Sequence, residues 1–124
     1  MKCERILIVD DSATSRMIIK RCFEIAGYAD SQYFEAEDGL KAIGLLHDHR
    51  FDLILSDLRM PKMDGSTFIK KLKTREATQA IPVIVISSIR NDALRAELEQ
   101  SGVQAVIHKP ISPEKVLAAM EDQS

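Results

Sequence analysis

The sequence predicts an α/β fold, a doubly wound parallel sheet of five strands with helices on both faces. Short apolar runs alternate about five times with stretches whose apolar residues recur at helical spacing, a pattern typical of parallel sheets with right-handed crossovers. The chain has 124 residues, of which 45% are apolar and 29% charged, and this suits one globular domain with a sizeable core. We therefore expect a single domain over residues 1–124.

The first unit consists of a strand at residues 5–9 and a helix at residues 13–26. The apolar run of the strand ends at Asp10-Asp11, and Ser12 follows with a side-chain oxygen that can cap the free N–H groups of the helix. Gly27 is a favourable residue for ending the helix. Five residues that recur at helical spacing are expected to face the core: Met17, Ile18, Cys22, Ile25 and Ala26.

The second strand, residues 30–36, is more polar than the first, and we expect it at an edge of the sheet. Asp38-Gly39 then begins a helix. The third strand, residues 51–56, is a short apolar run whose β-forming content favours a buried strand over a helix. Met60-Pro61 breaks regular structure after it, and Asp64-Gly65 marks a turn before the next helix. The apolar set of the second helix is Leu40, Ala42, Ile43, Leu45 and Leu46.

The remaining elements follow the same signals. Gly65-Ser66 leads into the third helix, and strands are predicted at residues 81–86 and 103–107 with a helix at 91–100 between them. Ser112-Pro113-Glu114 begins the last helix with a cap, a proline at the first helical position and an acid in the first turn. The residues of this helix expected to face the core are Val116, Leu117 and Met120.

Four of the five strands end in polar side chains. Asp10-Asp11 follow the first strand, Asp57 the third, Ser87-Ser88 the fourth and His108-Lys109-Pro110 the fifth. The carboxyl ends of parallel strands share one edge of the sheet, where open α/β sheets bind ligands, so we expect these side chains to converge there.

Convergence of these groups predicts a chemistry. Three neighbouring carboxylates repel one another, and a hard divalent cation, for which we expect Mg²⁺, relieves the repulsion. A carboxylate beside such a cation, with the Lys109 amine and the Ser87 hydroxyl nearby, suits phosphoryl transfer onto the carboxylate.

Charge and cysteine content exclude several classes of protein. A net charge of −2 gives no electrostatic signature for nucleic acid or an anionic membrane, and no stretch approaches the roughly 20 apolar residues of a membrane span. Cys3 and Cys22 form neither a metal-type spacing nor a disulfide framework. We expect a cytoplasmic protein that contacts neither nucleic acid nor membrane, with Cys22 a buried free thiol.

Taken together, these motifs resemble the receiver domain of two-component response regulators. The resemblance rests on Asp10-Asp11, on Asp57 with the following MPxMDG at residues 60–65, on Ser87 and on Lys109-Pro110, and it covers essentially the whole chain. It implies a flavodoxin-like (βα)5 fold with strand order 2-1-3-4-5. The segment DSATSR, residues 11–16, is also similar to the stand-alone chemotaxis-type (CheY-like) regulators.

The resemblance implies a metal site beside a phosphoacceptor. Asp57 would accept the phosphoryl group. Asp10 and Asp11 would bind Mg²⁺, helped by Asp57 and by the backbone carbonyl of Arg59.

It also implies how the phosphoryl group is held. Lys109 would pair with the group, and Ser87 would hydrogen-bond it and draw the following loop inward, with Ser88 a minor candidate in the same loop. The Lys109–Pro110 peptide bond is expected to be cis, which a following proline makes accessible.

Two positions depart from the family's pattern. Val106 stands where the family usually has an aromatic residue that turns inward on activation, so the switching step is expected to differ. Arg59 lies two residues after the acceptor, where its guanidinium could touch the phosphoryl group or an acid and alter dephosphorylation, or could simply be solvated.

We therefore expect a phosphorylation-activated signalling switch that catalyses only its own phosphorylation and dephosphorylation. A histidine kinase or phosphotransfer protein would supply the phosphoryl group, a phosphatase could remove it, and an output protein, with flagellar or motility control as one candidate, would bind the surface of the fourth helix, fifth strand and fifth helix. Arg90, Arg95 and Lys115 are candidates for that surface. We expect a monomer, and both chemotaxis and a multistep relay suit a stand-alone regulator.

Two other functions compete with this one. A Mg²⁺-dependent phosphatase or phosphotransferase acting through a phospho-aspartate would need a substrate pocket and an acid for the leaving group, and no second acid is placed after Asp57 for that work. A flavodoxin-like cofactor binder would need a glycine-rich loop after the first strand, where this chain has Asp10-Asp11-Ser12.

Overall fold

The computed structural model of the protein describes residues 3–121, and residues 1–2 and 122–124 of the predicted domain lie outside the described residues. The elements are β1 (Arg5–Val9), α1 (Ala13–Phe23), β2 (Gln32–Ala36), α2 (Gly39–Asp48), β3 (Leu53–Ser56), α3 (Gly65–Thr74), β4 (Val83–Ser87), α4 (Asp92–Gln100), β5 (Ala105–His108) and α5 (Pro113–Glu121).

The five strands form one parallel sheet in the order β2-β1-β3-β4-β5, which confirms the predicted fold class and strand order. β2, the most polar strand, lies at an edge as expected. β1 lies between β2 and β3, with Val9 opposite Ser56 in the register. The carboxyl ends of β1 and β3 therefore lie side by side, and Asp10 and Asp57, which follow them directly, are neighbours.

Alternate residues of each strand pack on opposite faces of the sheet, as the two-residue period of a strand requires. Ile6 and Ile8 of β1 join the core on one face, whereas Leu7 and Val9 join the core on the other. The first core is covered by apolar residues of α1 and α5: Ile19, Cys22, Phe23, Val116 and Met120. The second is covered by residues of α2, α3 and α4: Ala42, Phe68, Ile69, Leu72 and Leu98.

The predicted inner face of α1 was wrong in part. Met17, Ile18 and Ile25 are 64%, 47% and 58% exposed, and the stripe that packs on the sheet is Ile19, Cys22 and Phe23. Both stripes contain Cys22 and both have helical spacing, so periodicity alone left the rotation of the helix open. The prediction of a buried free thiol at Cys22 is confirmed.

Two leucines predicted to face the core are also largely exposed, Leu40 at the start of α2 and Leu117 in α5. Gly27 ends the first helix as expected, within a π-helical turn over Glu24–Tyr28 in which its φ is 117°. No helix among residues 3–121 is long and apolar enough to cross a membrane.

Side-chain caps fix where the helices begin at the carboxyl edge of the sheet. The Ser12 hydroxyl accepts the Ser15 N–H, and an Asp38 carboxylate oxygen accepts the Lys41 N–H. Asp64 caps α3 and Asn91 caps α4 in the same way. Each loop between a strand and the next helix is therefore anchored at its far end.

Candidate functional site

Three acidic residues meet where β1 and β3 end. The Asp57 N–H donates to the Val9 carbonyl at 2.9 Å, which holds the two strand ends together. Carboxylate oxygens of Asp10, Asp11 and Asp57 all lie within 4.8 Å of one another. Asp10 is 1% exposed, Asp57 is half-buried and Asp11 is exposed, so the cluster opens to solvent on one side.

The Lys109 ammonium joins two of these acids. Its Nζ donates to Asp10 Oδ2 at 3.0 Å and to Asp57 Oδ2 at 3.1 Å. Partial burial opposes its charge, but the hydrogen bonds and charges of Asp10 and Asp57 outweigh burial, and the pKa of Lys109 is raised above its ordinary value. The ammonium is therefore charged at neutral pH and loses its proton only in the alkaline range.

Asp10 is held by the first turn of α1. Its Oδ1 accepts the Ser12 N–H at 2.9 Å, and its Oδ2 accepts the Ser15 hydroxyl at 2.6 Å as well as Lys109. Arg16 Nη1 donates to the Asp10 carbonyl at 2.6 Å while its Nε donates to Glu35 at 2.8 Å.

Ser15 and Arg16 are site residues that sequence reasoning missed. One signal was available, because Ser12 was predicted as the helix cap. Side chains of a helix tilt toward its N-terminus, so those of the first turn lie over the residues that precede the cap.

The loop after β3 fixes the backbone of Asp57. Leu58 N–H donates to Asp57 Oδ1 at 2.6 Å, and the Ser56 hydroxyl donates to the Asp57 carbonyl at 2.8 Å. Gly65 packs directly against this segment, and a Cβ there would lie 2.3 Å from the Asp57 carbonyl oxygen and 2.7 Å from Leu58 Cα. The close approach explains the glycine at the end of the MPxMDG motif.

Arg59 lies outside this network. Its side chain is exposed, and within residues 3–121 it forms no ion pair with an acid of the cluster. Of the two alternatives predicted for Arg59, the structure therefore shows the solvated side chain.

Ser87, at the end of β4, is buried, and its hydroxyl is bonded within its own loop. Its Oγ accepts the Ile89 N–H at 3.1 Å, and its carbonyl accepts the Lys109 N–H at 2.9 Å. In the part of the chain that the structure describes, its hydroxyl makes no hydrogen bond to Asp57 or Lys109. Ser88 is exposed beside it.

Val106 is half-buried in β5, where it pairs with Val85. The space between Val106, Ser87 and Leu58 is only about 10 Å³. On the outer side Val106 borders an open cleft of about 530 Å³ that is also lined by Arg90, Arg95, His108 and Lys115.

Two of the cleft's cations are already engaged. Arg95 pairs with Glu99 at 3.2 Å, and the Lys115 Nζ donates to the carbonyls of His108 and Pro110 at 3.1 and 2.7 Å. The Lys109–Pro110 bond between these two carbonyls is cis, as the resemblance implied.

The donor set suits a hard divalent cation. Carboxylate oxygens from three residues within 4.8 Å of one another match the oxygen ligands that Mg²⁺ and Ca²⁺ prefer, and no nitrogen or sulfur ligand lies within that group. Lys109 balances two of the three acids, and the exposed side at Asp11 leaves a path for an ion. The site could therefore hold a divalent cation beside Asp57.

Comparison with known proteins decides the family. The family model described as "Response regulator receiver domain" matches residues 6–121. The chain is a response regulator receiver domain. Receiver domains of this family are signalling modules of two-component systems, and the chain is CheY-like in sequence and fold.

The relatives of this receiver domain differ in length. It is 35% identical over 108 residues to the chemotaxis protein CheY-3 of Vibrio cholerae, covering 87% of the chain and 82% of that protein. It is 33% identical over 118 residues to the sensor histidine kinase TmoS of Ectopseudomonas mendocina, covering 95% of the chain but only 12% of the kinase. The structure of the chemotaxis response regulator CheY4 of Vibrio cholerae superposes with a TM-score of 0.83 at 27% identity, covering 97% of this chain and 98% of that one.

Proposed function

We propose that this receiver domain is a switch that accepts a phosphoryl group on Asp57 from a histidine kinase or a phosphotransfer protein. The observation that carries the proposal is the Lys109 ammonium, shared between Asp57 and the buried Asp10 at the edge of an acidic cluster. Asp57 is the half-buried member of that cluster, reachable from solvent yet held by Leu58 N–H on its other oxygen.

In the transfer step a carboxylate oxygen of Asp57 bonds to phosphorus while the bond from phosphorus to the donor's leaving atom breaks. Acetate leaves when the donor is acetyl phosphate, and the imidazole of the donor leaves when it is a phosphohistidine. Hydrolysis by water later returns the Asp57 carboxylate and inorganic phosphate. Positioning and charge neutralisation are most of what this reaction requires from a protein.

Asp10, Asp11 and Asp57 would hold Mg²⁺, with the backbone carbonyl of Arg59 as a further ligand. When bound, the ion supplies positive charge that neutralises the transferring phosphoryl oxygens. Lys109 would move its hydrogen bond from Asp57 Oδ2 to a phosphoryl oxygen, because the same ammonium already points at the acceptor.

Ser87 would change its hydrogen bonding in response to the phosphoryl group. Its hydroxyl now accepts the Ile89 N–H, and a turn toward Asp57 would give up that bond and move the loop that starts α4. Val106 cannot follow as an aromatic side chain would, so the expected readout is the loop and the cleft bordered by Val106, Arg90 and Arg95.

An output protein would bind this face of α4, β5 and α5. Arg90 is its free cation within the described chain, since Arg95 and Lys115 are already bonded. The similarity to CheY-3 of Vibrio cholerae supports a chemotaxis or motility output, and the similarity to a segment of TmoS supports a step in a relay. A cytoplasmic monomer, acted on by a kinase and a phosphatase, would serve either pathway.

Intact mass after incubation with Mg²⁺ and acetyl phosphate tests the proposal. We expect the wild type to gain one phosphoryl group and Asp57→Asn or the metal-free wild type to gain none. Asp64→Asn is a matched control, because Asp64 lies in the same loop but caps α3 instead of facing the cluster. An unmodified wild type, or an Asp57→Asn variant that is still modified, would refute the assignment of Asp57.

A further inference from the structure

The Lys109 ammonium uses all three of its protons. Two go to the carboxylates of Asp10 and Asp57, and the third goes to Ser15 Oγ at 3.0 Å. The three acceptors come from the ends of two different strands and from the first turn of α1, so the direction of the ammonium is fixed from three sides.

The Ser15 hydroxyl has a defined orientation. An ammonium can only donate, so the hydroxyl accepts from Lys109 and must give its own proton to Asp10 Oδ2, at 2.6 Å. Ser15 thus closes a three-membered ring of hydrogen bonds with the buried carboxylate and the ammonium.

This ring decides which lone pairs of Asp10 are free. Oδ2 already accepts from Ser15 and Lys109, and within residues 3–121 Oδ1 accepts only from Ser12 N–H. A carboxylate oxygen has two lone pairs, so the free one is on Oδ1. Ser15 therefore restricts the part of Asp10 that can contribute to cation binding.

We propose that Ser15 is a positioning residue for phosphoryl transfer, which bridges Asp10 and Lys109 and keeps the ammonium aimed at Asp57. The inference rests on the proposed function and adds to it a hydroxyl on α1. When the Lys109 hydrogen bond to Asp57 moves to a phosphoryl oxygen, the bonds to Asp10 and Ser15 keep the ammonium in place. Without Ser15, the two carboxylates are the remaining acceptors of the ammonium in the part of the chain that the structure describes.

The chain offers close controls. Ser15→Ala removes the hydroxyl, and Ser15→Thr keeps a hydroxyl on the same Cβ. Thr14→Ala removes a hydroxyl from the neighbouring position of α1, which is exposed and forms no hydrogen bond through that group in the described residues. Circular dichroism of all three confirms that the variants are folded.

Two measurements separate positioning from packing. The first is the initial rate of phosphorylation by acetyl phosphate at saturating Mg²⁺. The second is the proton-exchange rate of the Lys109 ammonium in metal-free ¹⁵N-labelled protein by NMR, assigned by its loss in Lys109→Arg. The NMR measurement needs neither metal nor turnover.

We expect Ser15→Ala to lower the phosphorylation rate on the order of ten-fold, the usual size of losing a hydrogen bond to a charged group. Exchange of the Lys109 ammonium should accelerate several-fold in the same variant. Ser15→Thr should recover most of both properties, and Thr14→Ala should match the wild type.

A Ser15→Ala variant that matches Thr14→Ala in rate, or that leaves the Lys109 exchange unchanged, would overturn the inference. A slow rate in both Ser15 variants with unchanged Lys109 exchange would show a packing role and would also overturn it. If the wild type takes up no phosphoryl group, the proposed function fails and the transfer role of Ser15 with it. If only the Ser15 comparison fails, the proposed function stands.

Discussion

Gly65 offers the sharpest test of how the loop after β3 supports Asp57, the proposed phosphoacceptor. A Cβ at this position would lie 2.3 Å from the Asp57 carbonyl oxygen and 2.7 Å from Leu58 Cα, where real Cβ atoms stay beyond 3.0 Å. Both contacts are backbone, so no side-chain rotation can relieve them. Gly65→Ala must therefore separate the start of α3 from the Asp57–Leu58 backbone.

The loss in free energy of unfolding for Gly65→Ala is estimated from other overpacked sites. Forcing a methyl into a well-packed region costs about 1–3 kcal/mol. Gly44 lies in the exposed part of α2, and a Cβ there would meet no atom within 4 Å, so Gly44→Ala should stabilise the protein by about 0.5–1 kcal/mol through helix propensity. The two substitutions are chemically identical and should have opposite signs.

Urea unfolding and the initial rate of phosphorylation by acetyl phosphate measure the two effects. We expect Gly65→Ala to lower the urea midpoint and the rate, and Gly44→Ala to raise the midpoint without changing the rate. A Gly65→Ala variant as stable and as fast as the wild type would refute the claim that this contact fixes Asp57. A slow Gly44→Ala variant would show that the rate responds to distant helix changes.

Three further predictions test other parts of the site. Because folding raises the pKa of Lys109, its stabilising contribution is complete below the ordinary lysine pKa of about 10.4 and is lost as pH rises through the raised value. In the metal-free protein, Lys109→Met should therefore weaken the alkaline fall in the free energy of unfolding, measured by urea titration from pH 8 to 11. An unchanged fall would contradict this. Val106→Phe should place its ring in the outer cleft, because the inner space is only about 10 Å³, and a crystal structure with the ring packed inward on Leu58 would contradict this. Arg16→Lys should lower the free energy of unfolding, measured in urea, by about 1–3 kcal/mol, because one ammonium cannot bond both the Asp10 carbonyl and Glu35 as the guanidinium does. Stability equal to that of the wild type would contradict this.

Local chemistry made the fold and the acidic cluster predictable. Residues close together in the chain determine where the strands end and the helices begin. Examples are the apolar runs that end at Asp10 and Asp57, and the caps Ser12 and Asp38. The parallel sheet then brings the strand ends to one edge, so convergence needed no further information.

What the sequence left open depends on tertiary placement. Two stripes of α1 share Cys22, and only packing on the sheet selects the one with Ile19 and Phe23. The role of Ser15 depends on Lys109, 94 residues away in the chain, and no local pattern links the two. Lys115 was a candidate for the partner-binding surface on its charge alone, and its ammonium donates to the carbonyls of His108 and Pro110 at the end of β5.

The two hydrogen bonds of Ser87 have a thermodynamic consequence. Its carbonyl accepts the Lys109 N–H, and its hydroxyl accepts the Ile89 N–H, a bond that the proposed switch would exchange for one to the phosphoryl group on Asp57. If phosphorylation favours the second arrangement, a ligand that holds the loop in that arrangement must favour phosphorylation by the same factor, because coupling between two binding events is reciprocal. The output protein would then act as an effector of the acceptor site, and its concentration would help to set how much of the domain is phosphorylated.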